Sequence, residues 1–210
     1  MMDYIIIVKI GRRRIRAVKP SAVMDVLDRL DGYISNQRKK ATWEQRKFIV
    51  SFLFWTGLRA SELLLVKRRD IDIVSKVLNA PTLKQRGSLV YTPISLYHVP
   101  DNVMRFWEHY LAGKKLEERV IELRDRTSIW RAVHDTFMVF GYRGIYPHML
   151  RHAIAIMLAG LGVPLNVLQR FLRHTDPKNT AIYYSISARD MHPYMENVKR
   201  KLLMRDGIIL

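Results

Sequence analysis

The chain has 210 residues, 49% of them hydrophobic and 10% aromatic, enough to bury a substantial core and too many for an intrinsically disordered chain. Thirty-six Lys and Arg against 19 Asp and Glu give a formal net charge of +17, so a polyanionic partner is expected, and nucleic acid comes first. The absence of cysteine excludes disulfides and thiolate metal sites.

An anionic membrane surface would also attract this charge. The longest apolar runs, "YIIIV" and "FIVSFLFW", are too short to span a bilayer, and no lipidation motif is present. In "MMDYIIIVKIGRRR" the basic cluster follows the apolar run, the reverse of a secretory signal. A cytoplasmic, DNA-associated protein is expected.

Taken in chain order, a strand over residues 4–9 leads into the basic run "GRRRIRAVKP". "SAVMDVLDRLDGYI" has helical spacing, with Val23, Val26, Leu27 and Leu30 on one face. "QRKKATWEQRK" opens a second helix, in which Thr42 and Gln45 read as a capping box, and its "FIVSFLFW" segment is too apolar to face water. Gly57 is placed to end that helix, and a shorter one starts in "RASELLLVKRRDID" with Ser61 near its start.

From "IVSKVLNAP" to "GSLVYTPIS" the pattern changes to short β-rich runs around "TLKQRG", which reads as a hairpin or small sheet. Helices resume at "DNVMRFWEHYLA" and "SIWRAVHDTFMVFG". Three more follow "YPHML", with Gly160 and Gly162 closing the first, Pro164 opening the second and Asp176-Pro177 the third. A last basic helix is expected in "PYMENVKRKLLM". The fold class is mainly α with a small antiparallel β-sheet.

"PHMLRHAIAIML" frames the chemistry. Four residues apart on a helix, His148 and His152 share a face and could clasp a zinc ion; three apart, His148 and Arg151 could converge on one phosphate. Met149 stands where a zinc H-E-x-x-H motif needs its glutamate, and Arg151 on the same face would repel a cation. The phosphate reading is the stronger. Four more segments carry cationic or nucleophilic groups: "TGLRASE" with Arg59, "TLKQRG" with Lys84, "FLRHTD" with His174 and "TAIYYSIS" with Tyr183 and Tyr184. Each residue has a bland alternative. Arg59 could simply pair with Glu62, Lys84 is one exposed cation beside Lys76 and Arg86, His174 could cap its helix, and Tyr183 could be core.

The order and wording of "TGLRASELLLVKRRDID" and "PHMLRHAIAIMLAGLGVPLNVLQRFLRHTD", followed by "IYY", resemble the catalytic domain of the tyrosine recombinase, or phage-type integrase, family over roughly Lys19 to Leu203. The resemblance implies that Arg59 and Arg151 clamp a scissile phosphate, that Lys84 is the general acid, that His148 and His174 assist, and that Tyr183 is the nucleophile. It also implies strand cleavage and rejoining in double-stranded DNA through a covalent 3′-phosphotyrosyl intermediate. No metal or other cofactor is then needed, and the working form is a homo-oligomer, a tetramer, on DNA. The chemistry agrees. Paired guanidiniums neutralise charge developing on the non-bridging oxygens, and a positioned proton donor assists the 5′ oxygen as it leaves. Two other readings share the residues: a type IB topoisomerase-like nicking and closing enzyme, and a non-catalytic DNA-binding regulator of the same fold.

Three features depart from the family pattern. The catalytic domain is expected over 19–210, preceded by a strand and basic arm over 1–18 rather than by a separate core-binding domain. Arg173 occupies a position where the family usually has glycine, and the tyrosine is doubled.

Overall fold

The computed structural model describes residues 4–10, 13–83 and 89–187. Strands β1 (Ile5–Ile10) and β2 (Arg13–Val18) pair antiparallel, Ile5 opposite Val18 and Ile10 opposite Arg13. The strand foreseen over 4–9 is therefore present, and the basic run after it forms a second strand that the sequence did not announce. Arginines at 13, 14 and 16 obscure the apolar alternation by which a strand is usually recognised.

Helix α1 (Pro20–Ser35) begins on a proline, whose fixed φ suits the first turn, and buries Val23, Val26, Leu27 and Leu30 as its spacing predicts. It packs on α2 (Lys40–Thr56), in which every residue from Lys47 to Thr56 is buried. That helix is central, which explains why its apolar residues form no stripe. An aromatic cluster gathers around it: Phe48 stacks on Phe52 and Tyr110, with ring centroids 5.0 and 4.4 Å apart, and Trp107 donates its indole N–H to Ser51 at 2.9 Å. The proposed Thr42–Gln45 capping box is not formed. The helix starts at Lys40, which places Thr42 inside the first turn, and the Gln45 side-chain carbonyl accepts instead from the backbone N–H of Glu122 at 2.9 Å.

Gly57 ends α2 in the left-handed region, at φ 60° and ψ 22°, where a Cβ would cost about 1–2 kcal/mol. Helix α3 (Ala60–Leu63) and a 3₁₀ turn (Arg68–Asp70) follow. A three-stranded antiparallel sheet comes next, in the order β3 (Ile71–Asp72), β4 (Val77–Leu83), β5 (Leu89–Ser95). The anticipated hairpin is thus β4–β5, with Val77 opposite Ser95 and Leu83 opposite Leu89. Lys84 lies outside the described residues.

Helices α4 (Asp101–Leu111) and α5 (Arg126–Val139) pack against α2. Asp125 caps α5 by accepting from the Ser128 N–H at 2.7 Å. Contacts group the chain into two compact units, Met1–Ile154 and Ala155–Leu210, dividing within α6 (Pro147–Gly160). The second unit contains the end of α6, then α7 (Leu165–Leu172) and α8 (Lys178–Ser187), which pack on each other. Pro164 caps α7, and Asp176-Pro177 leads into α8 with the Asp176 carboxylate accepting from the Lys178 N–H at 2.9 Å, as the turn residues foretold. The basic segment "PYMENVKRKLLM" lies outside the described residues. Among the described residues no helix is long and apolar enough to cross a membrane.

Candidate active site

In the first unit, three of the residues singled out from the sequence come together. The glycine turn after α2 delivers Arg59 as the residue preceding α3. Glu62, three residues on and buried, accepts from the Arg59 backbone N–H at 2.8 Å and from its guanidinium at 2.7 Å. The Arg59–Glu62 pair named as the bland alternative is real. It is not a surface contact, though: one edge of the fork is fixed by a buried carboxylate while the Arg59 side chain remains 39% exposed. An anchored guanidinium with a free edge is a pre-organised anion receptor.

Arg151 reaches the same turn from α6. It is buried, and its guanidinium donates to the Gly57 carbonyl, two residues before Arg59. A buried guanidinium keeps its charge, so the low-dielectric surroundings concentrate its field on whatever anion approaches.

His148 stands on the first turn of α6, and its protonation state reports both arginines. Burial, then the charges of Arg151 and Arg59, push its pKa down to about 4. At neutral pH it is an uncharged imidazole beside two cations, able to accept or donate one hydrogen bond. His152 meets it edge to face, with ring centroids 4.4 Å apart. The zinc reading of this pair fits poorly, because a cation there would face the charges of Arg151 and Arg59 that add to burial in keeping His148 neutral.

An open cleft of about 470 Å³ adjoins these groups, lined by Arg59, Arg126, Thr127, Trp130, Tyr146 and His148 among others. Arg126 and Trp130 escaped the sequence reading. Arg126 is one of three charged residues in a row in "ELRDRTS", and an isolated tryptophan carries no positional signal. Trp130 is 44% exposed and stacks on His134, with ring centroids 4.5 Å apart.

The second unit brings His174 and Tyr183 together. Arg173 ends α7 in the left-handed region, at φ 55° and ψ 39°, the conformation that glycine adopts without strain. The left-handed turn is formed here by an arginine. His174 follows, held on both sides by Gln169: its N–H donates to the Gln169 carbonyl at 3.1 Å and its carbonyl accepts from the Gln169 side chain at 3.1 Å. Its Nδ1 lies 2.9 Å from the hydroxyl of buried Thr180, a contact no motif suggested. The Tyr183 ring is buried and lies nearly parallel to the His174 imidazole, at 17° with centroids 6.4 Å apart. Tyr184 points elsewhere, donating its hydroxyl to the Val163 carbonyl, and burial raises its pKa.

The model of the phage integrase family matches residues 23–189. Among curated proteins, the chain is 28% identical over 183 residues to the tyrosine recombinase XerA of Saccharolobus solfataricus, covering 87% of this chain and 56% of that protein. It is 26% identical over 160 residues to the tyrosine recombinase XerC of Staphylococcus aureus, covering 69% and 50% respectively. The chain spans about half the length of these relatives. Among solved structures it resembles the XerA recombinase, with TM-score 0.66, 20% identity and coverage of 85% of this chain and 64% of that one. It also resembles the Tn1549 transposon integrase in complex with circular intermediate DNA, with TM-score 0.60, 17% identity and coverage of 83% and 63%. These structural likenesses show the fold, that of a tyrosine recombinase catalytic domain. Matched over most of its length by the family model, the chain belongs to the phage integrase family.

Proposed function

We propose that this chain cleaves and rejoins double-stranded DNA as a tyrosine recombinase, with Tyr183 as the nucleophile. The observation that carries the reading is the meeting of Arg59, Arg151 and a neutral His148 at one glycine turn. A phosphodiester seated there has its non-bridging oxygens beside two guanidiniums. In-line attack by the Tyr183 oxygen forms a 3′-phosphotyrosyl bond and breaks the bond to the 5′ oxygen. That oxygen leaves with a proton from Lys84, the assigned general acid, while the phenol's own proton passes to solvent water as it attacks. Reversal by a 5′ hydroxyl reseals the strand, so no nucleotide hydrolysis is needed. His148 and His174 hydrogen-bond the phosphoryl oxygens as charge builds on them.

Tyr183 is buried, so cleavage through it requires that its hydroxyl become accessible to DNA. The net charge of +17 supports a DNA partner and a DNA-associated location, and neighbours in fold have been solved with DNA. The matched relatives are recombinases, which favours strand exchange between duplexes over relaxation of one duplex. A tetramer on DNA is the proposed working form. Residues 19–210 would supply the catalysis, with 1–18 as an appended element.

The test is incubation with a nicked suicide duplex in excess EDTA, followed by denaturing electrophoresis. A covalent protein–DNA adduct is expected without added metal. Cleavage that appears only on restoring Mg²⁺ or Zn²⁺ would overturn the mechanism.

A further inference from the structure

The β1–β2 ribbon precedes residue 23, where the family match begins, so the site described above leaves it without a role. Six residues in each strand carry it about 20 Å. A two-stranded ribbon is marginal by itself in water, and this one is pinned at its root. The Lys19 N–H donates to the Tyr4 carbonyl at 2.8 Å, and the Tyr4 hydroxyl accepts from the Arg143 N–H at 2.8 Å. The Tyr4 ring meets Tyr142 edge to face at 5.0 Å, and the Tyr142 hydroxyl donates to Asp25 at 3.0 Å. Arg143 lies in the loop that runs into Pro147 and His148. The ribbon is thus fastened to the segment that presents the phosphate-binding histidine.

Its faces differ in charge. Strand register places Ile7 opposite Arg16 and Lys9 opposite Arg14, and alternation puts all four positions on one face. At the root Ala17 and Val18 are buried, while farther out Ile7 is 47% exposed and Arg16 is exposed. No acidic residue occurs between Ile5 and Val18. Three basic positions and one apolar position thus share one face of a narrow ribbon, which suits a polyanionic groove of matching width.

We propose that this face is a second DNA-contacting surface, seated in the major groove of duplex that flanks the cleaved position. The major groove of regular duplex, about 12 Å wide, admits a two-stranded ribbon, whereas the minor groove, about 6 Å wide, takes one only where the DNA is widened or bent. The exposed Arg16 and the basic positions beside it meet phosphates or base edges, and Ile7 meets the groove floor, where thymine methyl groups are exposed. The proposal rests on the DNA-cleaving reading and adds a surface to it.

The experiment compares the full chain with a Lys9→Ala, Arg14→Ala, Arg16→Ala variant. Fluorescence anisotropy across a salt series is read on a long duplex, and adduct formation on a short nicked duplex lacking flanking DNA. The variant should show a salt slope shallower by roughly 0.9 per lost phosphate contact and about tenfold or greater loss of affinity for the long duplex, with unchanged adduct formation on the short one. An Arg14→Lys, Arg16→Lys variant should keep the slope, because charge is retained. If the alanine variant binds the long duplex with wild-type slope and affinity while the adduct still forms, the ribbon proposal is wrong and the enzymatic reading stands. If the lysine variant fails like the alanine one, the ribbon's role is structural, which also overturns the proposal. If the wild type neither binds duplex nor forms an adduct, both readings fall together.

Discussion

The Arg151 guanidinium donates to the backbone carbonyl of Gly57, a residue 94 positions earlier in the chain. The contact ties α6 to the left-handed turn that launches Arg59, so the separation of the two arginines is fixed by backbone geometry as well as by side-chain rotamers. Neither cation has to be recruited when an anion arrives, and that pre-organisation is what electrostatic catalysis requires.

Replacing either arginine by lysine keeps the charge and removes the planar fork. Lysine is the better probe at position 59, because alanine would also strip a partner from the buried Glu62 carboxylate. Arg59→Lys and Arg151→Lys should each slow adduct formation by about a hundredfold or more, with DNA affinity changed by much less. Single-turnover cleavage and equilibrium binding on the same duplex give the comparison. Equal losses in both would make the arginines ordinary phosphate anchors.

His148 makes stability depend on pH in a predictable direction. Its folded pKa, about 4, lies below the ordinary value of 6.5, so in acid the unfolded chain binds a proton that the folded chain refuses. Above pH 6.5 both states are neutral there and the residue contributes no pH dependence. As pH falls from 6.5 towards 4 the folded state loses up to about 3 kcal/mol from this group alone. Urea unfolding of wild type and His148→Gln should therefore converge above pH 7, apart from a constant offset, and diverge on acidification with the wild type losing more. Parallel curves down to pH 4.5 would contradict the assignment. A bound phosphate would oppose the two arginine charges, so DNA binding near pH 5 should be accompanied by proton uptake.

At Arg173 the chain accepts a left-handed conformation without the residue best suited to it. Arg173→Gly should stabilise the protein by about 1 kcal/mol, even allowing for loss of the bond from the arginine side chain to the Phe171 carbonyl. Thermal melting gives the test, and Arg173→Ala serves as the control that should not stabilise.

Much of this architecture is legible in the residues. The α1 stripe, the continuous apolar run of α2, Gly57 as a terminator and the proline starts of α1 and α7 are local signals, and each forms as its chemistry dictates. The failures are tertiary. Gln45 looks like half of a capping box but is claimed by a backbone N–H 77 residues away. The cap that does form uses Glu62 on the Arg59 N–H, and the same carboxylate orients the guanidinium, a double role that spacing alone could not separate from a surface ion pair. Thr180 as the partner of His174, and Arg126 with Trp130 at the cleft, depend on how helices meet rather than on any run of sequence.

The doubled tyrosine offers the most direct test of the whole account. Neighbouring helical residues point about 100° apart, so the two phenols cannot serve one phosphate from a single helix position. Tyr184 spends its hydroxyl on the Val163 carbonyl, whereas Tyr183 lies beside His174. The decisive measurement is peptide mapping of the adduct trapped on a suicide duplex, supported by Tyr183→Phe and Tyr184→Phe. The account predicts phosphate on Tyr183, no adduct from Tyr183→Phe despite retained DNA binding, and an adduct from Tyr184→Phe. Phosphate on Tyr184, or an adduct that survives Tyr183→Phe, would contradict it.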